Sequence, residues 1–241
     1  MTLLLTEFHP DCVVFAADRA ITDLTRGTRV GEQKKIHEIL RLSAGIGFYG
    51  LAVIGTARTT DWIAAFLRRR TDLPTLGDVA RALATELQAA IPAQHQMNLL
   101  GFHLSGYNTE GNPELWHITN RVRRGVRLTG GPRFDVSEDF LREHAREWCG
   151  YQGRPGETVR ISNKIPIYRN GDLRGHIFAS DAIDRIMTSF QDQHDFKPIR
   201  DPEEYVKFKM EVIAYIYKKW CRKPLIRRPI DTFKIRPVRR T

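Results

Sequence analysis

Thr2-Leu3-Leu4-Leu5-Thr6, followed by Asp11-Cys12-Val13-Val14-Phe15-Ala16-Ala17-Asp18-Arg19-Ala20-Ile21-Thr22, is the stretch on which the fold turns. It reads as two short strands joined by a turn at His9-Pro10-Asp11. Cys12 to Ala17 is an unbroken apolar run of strand length, which fits a strand buried on both faces. A second pair follows the loop Arg26-Gly27-Thr28: first Gln33-Lys34-Lys35-Ile36-His37-Glu38-Ile39, then Gly45-Ile46-Gly47-Phe48-Tyr49-Gly50. Trp62, Ile63, Phe66 and Leu67 recur at helical spacing and predict a helix over Thr59 to Arg69. Similar patterns predict helices near Leu76 to Ile91, Val136 to Cys149 and Ala179 to Phe190, and Asn170-Gly171-Asp172 reads as a tight turn.

Thr2 is the residue with the most chemistry to offer. Removal of Met1, which a small second residue permits, would leave its hydroxyl and a free α-amine on one residue. A hydroxyl is a weak nucleophile unless a base lies within hydrogen-bond reach, and an α-amine titrating near pH ~8 can take that proton. Sixteen residues on stands Asp18, then the pair Lys34-Lys35, then the glycine turn at Gly50. In this order and spacing the chain resembles the proteasome β subunits and the bacterial HslV peptidases, which are N-terminal nucleophile (Ntn) hydrolases. The Lys-Lys-apolar-x-x-apolar pattern of Lys34 to Ile39 matches the strand that carries the family's lysine. That pattern selects Lys35, whereas spacing alone would select Lys34; Lys35 therefore implies one inserted residue around Gly27 to Gly31. Leu100-Gly101-Phe102-His103-Leu104-Ser105-Gly106-Tyr107-Asn108 and Pro113-Glu114-Leu115-Trp116-His117-Ile118 resemble the family's central strand pair.

The resemblance implies an α+β fold, a four-layer αββα sandwich of two antiparallel sheets flanked by helices. It implies a threonine peptidase in which Thr2 Oγ attacks a carbonyl, Asp18 holds Lys35 beside the hydroxyl, and the Gly50 N–H faces the oxyanion. Thr22 matches a position whose backbone pairs with an extended substrate, while Ile21, Phe48 and Ala52 fall where the family lines its specificity pocket. Thr129, in Leu128-Thr129-Gly130-Gly131, occupies the place of a serine that supports the nucleophile. The family's later Asp-x-x-Ser-Gly segment has no clear match. Peptide or unfolded protein is the implied substrate and a homo-oligomeric ring the implied assembly. The chain holds no phosphate-binding Gly-x-x-x-x-Gly-Lys-Ser/Thr loop, so ATP-driven unfolding would come from a separate ATPase. No cofactor is expected. Two other readings fit: an Ntn amidohydrolase acting on a small amide, and an inactive proteasome-like subunit that acts through its basic tail.

Taken one at a time, the same residues have plainer explanations. Asp18-Arg19 also fits a strand-end ion pair, and Lys34-Lys35 a solvated edge. His37, His103 and His117 alternate with apolar residues and lack metal-ligand spacing, so they read as hydrogen-bonded sheet residues.

The 241 residues divide into an expected Ntn-like domain over 1–195 and an extension over 196–241. Asp201-Pro202-Glu203-Glu204 is a helix start, with Asp as cap, Pro in the first turn and acids at the positive end. The helix should run to Trp220 with Tyr205, Phe208, Val212, Ile216 and Trp220 as its apolar stripe. From Lys218 onward ten basic residues face the single Asp231, a net +9 that accounts for nearly all of the chain's formal +10. Punctuated by Pro224, Pro229 and Pro237, this segment reads as an extended basic tail suited to an acidic partner or a neighbouring subunit, or equally as a disordered solubilising tail. Without a recognised nucleic-acid module, nucleic acid is not its expected main partner. Cys12, Cys149 and Cys221 form no framework, and no apolar span of membrane length appears, so a cytoplasmic protein with reduced thiols is expected and a membrane partner is not.

Overall fold

The computed structural model describes residues 2–9, 11–23, 25–91, 98–120, 134–138, 167–171, 174–191 and 200–237. Strands β1 (Leu3–His9) and β2 (Cys12–Asp18) form an antiparallel hairpin in register Leu4↔Ala17. Every residue of both is buried, and the pleat says why. Leu3, Leu5, Val14 and Ala16 point into one apolar cluster, while Leu4, Phe8, Val13, Phe15 and Ala17 point into another. Outside this pair lie β12 (Ile167–Gly171) against β1 and β13 (Ile230–Ile235) against β2, giving the order β12-β1-β2-β13.

A second antiparallel sheet is built from β5 (Ile36–Ile39), β6 (Ala44–Gly50), β9 (Leu100–Tyr107), β10 (Pro113–Thr119) and β11 (Asp135–Glu138), in the order β11-β10-β9-β6-β5. Two small ribbons complete the strands: β3 (Ala20–Thr22) with β4 (Arg29–Glu32), and β7 (Val53–Ile54) with β8 (Ala57–Arg58). Ile46, Phe48, Phe102, Leu104 and Ile118 pack on helices α1 (Thr59–Arg69) and α2 (Leu76–Ala90). From the opposite face Tyr49, Tyr107 and Leu115, joined by Ile36, meet Leu4, Phe8 and Phe15 of the first sheet. Gly47 permits that approach, because a Cβ there would lie 2.6 Å from Leu4 Cδ1.

Helix α3 (Arg174–Gln191) and helix α4 (Pro202–Trp220) follow β12. Asp201 caps α4, its carboxylate accepting from the Glu203 N–H at 3.0 Å. The face of α4 that packs on β1 and β2 is Val206, Met210, Ile213, Ala214 and Tyr217. The predicted stripe is therefore off by a partial turn: Tyr205 is buried, but Phe208 is 45% and Trp220 71% exposed. Its spacing was helical, but the true face at 206, 210, 213 and 217 includes the charged Lys209, which masks it in a hydrophobicity pattern.

Three further expectations change. Residues 135–138, placed partly in a helix, form β11 against β10, and 139–150 lie outside the described residues. Asn170 and Gly171 are not a turn but the end of β12, paired with Leu4 and Leu3. The basic tail is in part a strand: residues 230–235 pair with residues 13–18 of β2, and Leu225, Ile226 and Ile230 share the cluster beneath α4. Among the described residues no helix is long and apolar enough to cross a membrane.

Candidate active site

The β1–β2 hairpin brings the start of one strand to the end of the other. Its register sets Leu3 opposite Asp18, and the Leu3 N–H donates to Asp18 Oδ1 at 3.1 Å. Lys35 enters just before β5. Its Nζ donates to Thr2 Oγ1 at 2.5 Å and to the Ala20 carbonyl at 2.8 Å, and lies 3.5 Å from Asp18 Oδ1. Thr2, Asp18 and Lys35 are 3%, 0% and 2% exposed, so the cluster is dry. Lys34, the neighbour that spacing alone would select, faces solvent. Asp18 Oδ2 is buried without a hydrogen-bond partner.

Burial sets the electrostatics. Loss of hydration pushes Lys35 below the ordinary lysine range, opposed by the charges of Asp18 and, more weakly, of Asp231 on β13. Loss of hydration likewise pushes Asp18 up, opposed by the Lys35 charge and the Leu3 N–H. The ammonium is thus held beside a hydroxyl at a site where its proton is easier to lose than in water.

Gly50 ends β6 with φ +100°, and a Cβ there would stand 1.9 Å from the Leu99 carbonyl oxygen. Only glycine fits. Phe48 donates its N–H to the Lys35 carbonyl at 3.1 Å, while the Leu51 N–H donates to Leu99 on the other side. Alternation along the strand therefore directs the Gly50 N–H to the edge that carries Lys35.

Around this centre, Ile21 and Thr22 lie on β3, whose edge opposite β4 pairs with no strand among the described residues. Thr22 Oγ1 is buried and has no hydrogen-bond partner. Ala52 is half-buried just past Gly50, and its carbonyl accepts from the Thr59 N–H. Phe48 is 1% exposed, packs on Phe102 and belongs to the apolar cluster beneath α1 and α2. Thr129 lies outside the described residues.

His37, His103 and His117 are all hydrogen-bonded, His37 to helix α1, His103 to the other sheet and His117 within its own sheet. His37 Nε2 meets Thr60 Oγ1 at 3.2 Å, and burial together with the Lys34 charge lowers its pKa to about 4. His103 lies between Thr6 and Asn170, and His117 bonds the Tyr49 hydroxyl. No group of three or more potential metal ligands occurs among the described residues.

Sequence reasoning missed three parts of this site. The Ala20 carbonyl and the Leu3 N–H are main-chain groups, which leave no side-chain signal. Asp231 is the third: it lies 212 residues from the Arg19 that it binds, at 2.8 and 2.9 Å from Nε.

No family model matches the chain, and no curated protein matches it. Solved structures do. HslV from Trypanosoma brucei superposes with a TM-score of 0.51 at 17% identity, over 97% of this chain and 99% of its own. Anbu (ancestral beta-subunit) from Yersinia bercovieri gives 0.54 at 12% identity, over 97% of this chain and 81% of its own. With two antiparallel sheets and a threonine at the head of the first strand, the chain has an HslV-like fold.

Proposed function

We propose that this protein is a proteasome-like threonine peptidase that uses Thr2 as its nucleophile after removal of Met1. The observation that carries the reading is the 2.5 Å contact between Lys35 Nζ and Thr2 Oγ1 inside a buried cluster. Burying a lysine beside a hydroxyl and a carboxylate carries a desolvation cost, and a chemical use for the ammonium would account for its being kept there.

Thr2 Oγ attacks the carbonyl carbon and its proton passes to the α-amine that Met1 removal exposes. The Lys35 ammonium stabilises the developing alkoxide, and Asp18 and the Ala20 carbonyl hold it in place. The Gly50 N–H faces the oxyanion, where loss of one donor typically costs ~3–4 kcal/mol. The C–N bond then breaks, the leaving amine takes the proton, and water hydrolyses the threonyl ester. An extended substrate adds along the unpaired edge of β3 at Thr22, which reads main chain rather than sequence. Ile21 and Ala52 line the adjoining apolar pocket, and Thr129 supports the nucleophile.

The three apolar clusters, one between the sheets and one beneath each helical layer, support a four-layer αββα arrangement. By the same reading the protein is cytoplasmic and works as a homo-oligomeric ring, with peptide or unfolded protein as substrate and unfolding supplied by a separate ATPase.

Intact mass before and after treatment with a threonine-directed β-lactone or epoxyketone tests the proposal. A mass lacking Met1 that gains one adduct on Thr2 is expected. A protein that retains Met1 and takes no adduct would overturn it and favour a non-catalytic subunit.

A further inference from the structure

We infer that Asp231, acting through Arg19, is a positioning residue of the nucleophile site, and that the segment 223–231 is the brace which holds one wall of the cleft. The inference rests on the peptidase reading above. Arg19 stands between Asp18, which faces Lys35, and Ala20, whose carbonyl accepts from Lys35 Nζ at 2.8 Å. A shift of residue 19 moves both of the groups that orient the ammonium.

Residue 19 is fixed twice from the later segment. Its N–H donates to the Pro229 carbonyl at 3.0 Å. Its guanidinium takes the Asp231 carboxylate in a forked pair, with Nε at 2.8 and 2.9 Å and an Nη at 2.7 Å. Forked pairs fix direction as well as distance. Asp231 is largely buried while Arg19 is partly exposed, which suits a carboxylate built into a strand and aimed at a movable partner. The same segment holds the loop after β3: Lys223 Nζ donates to the Thr25 carbonyl at 2.8 Å and Arg227 to the Gly27 carbonyl at 2.9 Å. Part of the basic charge of the supposed tail is thus spent within the molecule.

Asp231 also acts on Lys35 directly through its charge. Lys35 contacts Thr2 ahead of β1, Asp18 on β2 and the Ala20 carbonyl, while Asp231, bound to Arg19, adds its charge from beyond that contact shell. Asp231 raises the Lys35 pKa, so its loss lowers it.

The test is the rate of β-lactone adduct formation on Thr2 as a function of pH, for the full-length protein and for Asp231→Asn, Asp231→Glu and Lys234→Gln. Lys234 sits on the same strand but pairs with Asp201 and Glu203 at the start of α4, and so reports on general damage to β13 and its packing. Asp231→Asn should slow adduct formation about tenfold or more. Its alkaline limb should move to lower pH, Asp231→Glu should recover part of the rate, and Lys234→Gln should react as the unaltered protein does. An Asp231→Asn variant with unchanged rate and pH profile overturns the inference and leaves the peptidase reading standing. Equal losses in Asp231→Asn and Lys234→Gln also overturn it, since they mean general damage to the strand. Should the unaltered protein take no adduct, the peptidase reading fails, and the Lys35 side-chain titration followed by NMR decides the brace separately. A midpoint lowered in Asp231→Asn supports the brace, and an unchanged one overturns it.

Discussion

Lys34 and Lys35 are chemically alike and adjacent, yet one faces water and the other touches Thr2 at 2.5 Å. Lys35→Ala should abolish adduct formation on Thr2, or slow it by about a thousandfold as loss of charge stabilisation in a dry site does, while Lys34→Ala should stay within about twofold; single-turnover rates compare the two. Because burial lowers the Lys35 pKa, the pH profile should be bell-shaped. It rises as the α-amine deprotonates near pH ~8 and falls below the ordinary lysine value of ~10.4, as the ammonium is lost. Gly50→Ala should cost about 3 kcal/mol or more, since a positive φ and a clash with the Leu99 carbonyl act together; urea unfolding measures it. The sequence made Thr2, Asp18, Lys35 and Gly50 legible, because each is a side chain, or the lack of one, at a telling interval. It could not show that Phe48 faces the cluster under α1 and α2, since one apolar strand residue looks like another until the sheet has two distinct faces.

Between elements, the joint most exposed to test is the one linking β1 to α4. Lys209 Nζ lies 2.7 Å from Glu7 Oε1 and 3.3 Å from Asp184, and the Tyr205 hydroxyl donates to Asp184 at 2.6 Å. Burial alone would raise the Glu7 pKa, but Lys209 and His9 more than offset it and lower it from 4.5 to about 2. A depressed carboxylate stabilises the fold above its unfolded value and ceases to as pH falls toward its folded value. Stability should therefore decline between pH 4.5 and about 2, and Glu7→Gln should flatten that decline in urea unfolding at several pH values. Lys209→Ala, which strands the Glu7 charge, should cost about 3–5 kcal/mol. This lysine also explains why the face of α4 was misjudged: a charge inside the buried stripe reads as a solvent position. Helix α1 (Thr59–Arg69) met no such conflict, because Ile63 and Phe66 are both apolar and buried, and its predicted and observed limits coincide.

At the scale of the whole molecule, the first sheet pairs strands far apart in sequence, β2 (Cys12–Asp18) with β13 (Ile230–Ile235). The register of β13 on β2 runs from Ile230↔Asp18 to Ile235↔Val13. The segment looked like a tail because charge and proline dominate its composition, while only six residues form the strand. Truncation before Ile230 should remove an edge of the sheet and the Asp231 anchor together, leaving a chain without a cooperative thermal transition by circular dichroism. That pairing also imposes an order in time. Long-range contacts form late, after the intervening chain has been made. Until the ribosome has synthesised residue 235, the hairpin that presents Thr2 lacks its flanking strand and Arg19 lacks its carboxylate. The corner that holds Lys35 beside Thr2 therefore closes only once both halves of this sheet exist, however early the hairpin itself forms.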